Sequence, residues 1–194
     1  MASIVSAAFR AISTAGLTVR AVLSDPVSNE DARRTFENNP NVIIVNGGLS
    51  NKGIQALTFA VVDRIRRMYP DKEFYLFSAA DHQRSAEEKS RYRFHVMPWR
   101  WDERSGFFLL GKWSAAYEWY RDIVENAACF IDVSGHGLNG RWGFNFTADY
   151  LMNIAVARKY SIPFYVFTQS LGPFEHEFPF NGLSRFLLRR YLRY

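Results

Sequence analysis

The stretch that most constrains this chain is Asn41 to Pro70, NVIIVNGGLSNKGIQALTFAVVDRIRRMYP, which reads as a strand, a turn and a helix in one run. Val42 to Val45 is apolar and β-branched, as in a strand buried on both faces. Asn46-Gly47-Gly48 breaks that run, because glycine lets a backbone or a ligand approach closely. From Lys52 the apolar residues Ile54, Leu57, Thr58, Val61, Val62, Ile65 and Met68 recur at three- and four-residue steps. Asp63, Arg64, Arg66 and Arg67 lie on the other side, which predicts an amphipathic helix ending at Tyr69-Pro70. Ser50 or Asn51 would be its N-cap, and its first N–H groups, with Lys52 beside them, form a ready anion site. Most capped helix starts bind only water, so this loop alone names no ligand.

The alternation continues. Glu73 to Phe77 predicts a second strand, Phe94 to Met97 a third, Cys129 to Val133 a fourth and Pro163 to Thr168 a fifth. Between them, Asp81 to Arg91 reads as a solvated helix or loop, Trp113 to Ala127 as an amphipathic helix, and Thr147 to Lys159 as a helix with Asp149 in its first turn. Strands joined by right-handed helical crossovers predict an α/β fold: a doubly wound, Rossmann-like parallel sheet of about five strands with helices on both faces. The usual strand order then sets the first and fourth strands side by side, with ligands beyond their carboxyl ends. In that geometry Asn51, Lys52, His136, Asn139 and Arg141 line a polar, cationic cleft. His136 is a candidate general base there, although a histidine satisfied by a backbone contact fits the loop equally well.

Residues 1–40 stand apart as a helical N-terminal extension, with helical patterns at Ile4 to Gly16 and Asn29 to Phe36 and a linker at Asn38-Asn39-Pro40. The α/β domain occupies 41–180, and 181–194 begins another helical pattern. The net charge is +5, but the 24 basic residues are scattered and no nucleic-acid motif is legible, so nucleic acid is not an expected partner. No apolar run reaches the roughly 18 to 20 residues a membrane-spanning helix needs. Arg10 interrupts the N-terminal apolar stretch, which is unlike a secretory signal. The single Cys129 lies in an apolar strand pattern and is compatible with a reducing compartment, so a cytoplasmic location is expected.

Gly135-His136-Gly137-Leu138-Asn139-Gly140 matches the dinucleotide fingerprint G-x-G-x-x-G after a predicted strand. Its context fails, because the next helix begins only near Thr147 and the following strand closes on Thr168-Gln169 rather than an acidic residue. No His, Asp or Glu set has metal-ligand spacing, and neither a metal nor a cofactor is expected. Trp99, Trp101, Phe107, Phe108 and Trp113 crowd the segment after the third strand. Either Trp99 or Trp101 could be a partly exposed platform for a sugar face, while packing accounts for most of the others.

Three segments in register, SNKGIQAL at 50–57, IDVSGHGLNGRWG at 131–143 and PFYVFTQSLGPF at 163–174, resemble the polysaccharide pyruvyl transferase family. The resemblance covers roughly Asn41 to Phe174. It implies one half of a two-domain, GT-B-like architecture and an enzyme that moves the enolpyruvyl unit of phosphoenolpyruvate onto two hydroxyls of a saccharide acceptor. By position, Asn51 and Gly53 correspond to the loop after the first strand and Ser134 and Gly135 to the loop after the fourth. Gln169, Ser170, Gly172 and Pro173 correspond to the stretch entering the interdomain cleft. With Lys52 and Arg141 as cations, these form the expected substrate site. The family's donor-site Arg and His residues belong to a second domain, so the chain is expected to be a half that is inactive alone, completed by that domain or by a separate chain. The segment 181–194 would then start the interdomain connection. A noncatalytic binding or assembly module of the same fold is the alternative, and a nucleotide-binding enzyme a third.

Overall fold

The structure is a computed structural model, and it describes residues 27–99, 118–136 and 144–167, with isolated positions such as Gly16, Asp25, Ser170, Gly182, Phe186 and Arg190. In chain order the elements are α1 Asn29–Asn38, β1 Asn41–Val45, α2 Lys52–Met68, β2 Glu73–Phe77, α3 Ala79–His82, α4 Ala86–Ser90, β3 His95–Met97, α5 Glu118–Glu125, β4 Ala127–Asp132, α6 Phe144–Lys159 and β5 Phe164–Val166. All strand pairings are parallel, in the order β3-β2-β1-β4-β5. This is the expected α/β sheet, with β1 and β4 paired at its centre and the strand order reversing between them.

The two faces follow from the period-2 alternation of the strands. Val42 and Ile44 of β1, Phe74 and Leu76 of β2, and Cys129 and Ile131 of β4 pack with Val61 and Val62 of α2. Ile43, Val45, Phe77 and Phe130 point the other way, against Tyr120 and Val124 of α5 and Val156 and Ala157 of α6. β1 is buried along its whole length, so each of its apolar side chains contributes about 1.5–3 kcal/mol by leaving water. Burial also pushes the Cys129 thiol up to about 12.

The helical appendage α1 has Ser28 as its N-cap, accepting from the Asp31 N–H. Lys72, just before β2, closes its far end: the ammonium donates to the carbonyls of Phe36 (2.5 Å) and Asn39 (2.6 Å), where the helix dipole favours a cation. Phe36 also meets Tyr69 edge-on at 4.9 Å, and Asn39 Nδ2 reaches Ala127 O at 3.0 Å.

Several boundaries move. The helix expected to run to Ala127 ends at Glu125, and β4 begins at Ala127, two residues early, with a register shift opposite Asn41/Val42. Helix α6 begins at Phe144 rather than Thr147, so Asp149 lies beyond its first turn, which carries no acidic residue. The strands β3 and β5 are shorter than predicted, at three residues each. Met68, assigned to the apolar face of α2, is 49% exposed at the helix end. Asp81–Arg91 forms two short helices, and Asp81 is buried rather than solvated. Trp99 is 5% exposed and cannot be a sugar platform, because its ring packs into the core, tilted against Phe77 and Tyr120. Trp101, Phe107, Phe108 and Trp113, and the first helical pattern of the extension up to Ala15, lie outside the described residues. Positions 182, 185, 186, 189 and 190 are helical, as the terminal pattern predicted, and Phe186 is 42% exposed.

Candidate functional site

At the carboxyl end of β1 the chain turns through Asn46, whose φ of 54° places it in the left-handed region that asparagine tolerates better than most residues. Gly47 follows in a space with no room for a side chain: a Cβ there would lie 2.9 Å from both Leu76 Cδ1 and Thr58 Oγ1. The strand end, β2 and α2 can meet this closely only over a glycine. The Leu49 N–H then donates to Asp81 Oδ2 at 3.1 Å, and Ser78 Oγ donates to the same oxygen at 2.8 Å. Arg84 Nε donates to Asp81 Oδ1 at 2.8 Å, while its Nη2 reaches Ser50 Oγ at 2.9 Å and its Nη1 pairs with Glu88. Those carboxylates hold the guanidinium pKa above its ordinary value. The loop is thus clasped to the segment after β2 by a buried carboxylate and an arginine.

Asn51 caps α2, its Oδ1 accepting from the N–H groups of Gly53 (2.9 Å) and Ile54 (3.2 Å). The donors expected to hold an anion are therefore turned toward the cap oxygen. Lys52 is exposed beside them, its Nζ 3.3 Å from Gln55 Oε1.

The loop after β4 is built differently. Asp132, fully buried, accepts at Oδ1 from the Ser134 N–H (3.0 Å) and Ser134 Oγ–H (2.7 Å). At Oδ2 it accepts from Asn46 Nδ2, a short bond across the β1/β4 junction. Asn46 Oδ1 in turn accepts from Asn153 Nδ2 of α6 at 3.3 Å, and Asn153 Oδ1 from the Trp99 indole N–H at 2.8 Å. Gly135 has φ +70°, and a Cβ on it would approach Leu57 Cδ1 of α2 at 3.3 Å. Its carbonyl accepts from the Ser170 N–H at 3.0 Å. His136 follows, exposed.

The predicted residues Asn51, Lys52, Gly53, Ser134, Gly135, His136 and Ser170 all belong to loops or helix starts at the carboxyl edge of the sheet. Contacts of Gly135 tie the second and third segments to the first. Asn139, Arg141, Gln169, Gly172 and Pro173 lie outside the described residues. Sequence reasoning missed Asn46, Asn153, Asp81 and Arg84, each of which bonds a partner 32 to 107 residues away, the last two from a segment read as solvated. Asp132 carried a signal, being the aspartate of the D-x-S-G element. Among the described residues no group of three or more His, Cys, Asp or Glu side chains could hold a metal ion, and no helix is long and apolar enough to cross a membrane.

Fold and site together define a doubly wound α/β domain with its polar residues gathered where the strand order reverses. The family model described as polysaccharide pyruvyl transferase matches residues 51–194, and the chain belongs to that family. The match starts ten residues inside the resemblance noted from the motifs and continues to 194. No curated protein and no solved structure gives a significant match.

Proposed function

We propose that this domain takes part in transfer of the enolpyruvyl unit of phosphoenolpyruvate to two hydroxyls of a sugar, forming a ketal. The observation that carries this reading is the meeting of the three family segments at Gly135, with Leu57 of the first segment against it and the Ser170 N–H of the third on its carbonyl. In the reaction two C–O bonds form at the central carbon of the donor and its bond to the phosphate oxygen breaks. One hydroxyl proton ends on the methylene carbon, which becomes a methyl group, and the other leaves with phosphate. Such chemistry needs cations for the phosphate and carboxylate and a group that moves protons. Lys52 and Arg141 are assigned the first task and His136 the second, with Asn51, Gly53, Ser134, Gly135, Gln169 and Ser170 forming the wall that meets the substrates. A second, GT-B-like domain, on this chain or another, would close the cleft and exclude water.

The test is titration of the purified protein with phosphoenolpyruvate, neutral saccharides and nucleotides, followed by incubation with donor and acceptors and measurement of phosphate release and product mass. Weak phosphoenolpyruvate binding is expected, lost at high salt and reduced ~2–5-fold in Lys52→Ala, since one exposed ion pair contributes about 0–1 kcal/mol. Ketal product should require the closing domain. Saccharide binding without any donor binding would replace this reading with the noncatalytic module, and nucleotide binding tighter than donor binding would overturn it.

A further inference from the structure

The hydrogen bonds from Trp99 to Asp132 all run one way. An indole N–H can only donate, so the Asn153 oxygen must face Trp99 and its NH2 must face Asn46. That in turn fixes Asn46 with its oxygen toward Asn153 and its NH2 toward Asp132. Ser134 donates to the other carboxylate oxygen through both its N–H and its hydroxyl. Three donor groups in series and two more from Ser134 therefore point toward one acceptor-only group, the arrangement that suits a charged carboxylate inside a protein. Trp99, Asn153 and Asp132 are 5% exposed or less and Asn46 is partly buried, so the chain is a largely buried connection between the segment after β3 and the turn after β4.

We propose that Asn153 is a positioning residue: acting through Asn46 and Asp132, it fixes the Ser134–Gly135 turn on which the three family segments converge. Each link has a definite task. Asn153 anchors the Asn46 amide from the α6 side, where Asn46 stands in the left-handed region at the end of β1. Asn46 in turn pins one oxygen of Asp132, which leaves the other aligned for the two Ser134 donors. Without the amide at 153, Asn46 Oδ1 loses this donor and the Asn46–Asp132 pair can shift together, so that the carboxylate rotates away from Ser134. The turn would then sample several geometries, and a turn displaced by even ~1 Å is enough to cost a large factor in a positioned reaction. The clasp of the other loop by Asp81 and Arg84 shares no member with this chain, so the effect should be confined to one side of the site.

The test compares wild type, Asn153→Leu and Trp99→Phe by hydrogen exchange of the backbone amides, using the full chain. In Asn153→Leu, exchange at Ser134 and at Ser170, whose N–H bonds to Gly135 O, should accelerate about tenfold or more, equivalent to ~1.4 kcal/mol of lost local stability. Exchange at Leu49 should stay within twofold. Trp99→Phe keeps the ring packing but removes the donor to Asn153 Oδ1, and should give a smaller change at the same two amides. It keeps the inference testable if Asn153→Leu does not fold. Unchanged exchange at Ser134 in both variants, or equal acceleration at Ser134 and Leu49, would overturn the proposal. A second readout rests on the pyruvyl transfer reading: in protein completed by its closing domain, Asn153→Leu should lower kcat at least tenfold with KM for phosphoenolpyruvate within twofold. A rise in KM with unchanged kcat would overturn the positioning role. Absence of transfer by wild type would instead count against the proposed function, and the exchange experiment decides the positioning role without it.

Discussion

The two faces of the central sheet are sealed by different chemistry. On the α2 face, valine, isoleucine, leucine and phenylalanine side chains meet with little polar content, and the buried Thr58 of α2 turns its hydroxyl back to the Ile54 carbonyl at 2.9 Å. On the opposite face the same kind of apolar packing is crossed by Trp99, Asn153, Asn46 and Asp132, which end beneath the turn after β4. An apolar face stabilises the fold without caring which ligand is bound. A buried polar chain is costly unless every member is satisfied, and this one lies beside the strand reversal, beneath the candidate site. The loops after β1 and β4 each hang from a buried aspartate, but Asp81 is held partly by an arginine and Asp132 by one side-chain amide, a hydroxyl and a backbone N–H.

The largest expected effect breaks the polar chain at its end. Asp132→Ala removes the acceptor for Asn46 Nδ2 and for both Ser134 donors, and each buried donor left without a partner costs about 1–3 kcal/mol. These terms are not additive, and a loss of ~4 kcal/mol in urea unfolding is expected. Asp132→Asn, which retains one acceptor oxygen but sets an NH2 against donors, should lose roughly half of that on the same scale. A loss under ~1 kcal/mol for the alanine variant would show that the two faces are sealed alike.

Gly47 tests the opposite face. Its alanine variant would press a methyl group to 2.9 Å from Leu76 and Thr58 and 3.0 Å from Val133. Overpacking of this kind costs about 1–3 kcal/mol. Gly48 supplies the control, because its nearest neighbour is Asp81 Oδ2 at 3.4 Å and its φ lies outside the left-handed region. Gly48→Ala should change stability by ~0.5 kcal/mol or less. Equal effects at the two positions in thermal or urea unfolding would contradict the close approach at Gly47.

Asp81→Ala comes next. It strands the Leu49 N–H and loosens Ser78, at a cost of ~2 kcal/mol. Its effect on hydrogen exchange should centre on Leu49 and Ser50 and leave Ser134 protected. Faster exchange at Ser134 as well would show that the loops are coupled and that the contrast between them is wrong.

Which of these features the sequence revealed depended on whether the signal was local. The strand and helix at Asn41 to Met68 were legible because burial on both faces forces a continuous apolar run and a half-buried helix forces a 3.6-residue period. The pairing of β1 with β4 was legible through the usual order of such folds. Asp81 was not, since it stands among charged residues and owes its burial to an N–H 32 positions away. Asn46 and Asn153, 107 positions apart, leave no pattern in either neighbourhood. The start of β4 was misplaced because Ala127 and Ala128 favour a helix as readily as a strand, and only their burial against the sheet decides. Asn51 was correctly placed as one of two caps, but capping itself occupies the N–H groups that were expected to face an anion.

The smallest effect concerns how dry the α2 face is, and Cys129 reports it. Burial raises the thiol from an ordinary 9.0 to about 12 in the folded protein. Below pH 9 the thiol is protonated in both folded and unfolded chains, so it adds no pH dependence. As pH rises from 9 toward 12 the unfolded chain loses this proton while the folded chain keeps it, and stability must fall. The slope approaches ~1.4 kcal/mol per pH unit, which gives a loss of about 1.4 kcal/mol between pH 8 and pH 10. Desolvation is the larger cause of the shift, and Lys72 opposes it. Cys129→Ala removes this contribution, so the difference in unfolding free energy between wild type and variant should narrow by that amount at pH 10. Tyrosines and lysines titrate in the same range, but they are common to both proteins and cancel in the comparison. A difference that stays constant from pH 8 to pH 10 would mean that water reaches the thiol, and with it the core between β4 and α2.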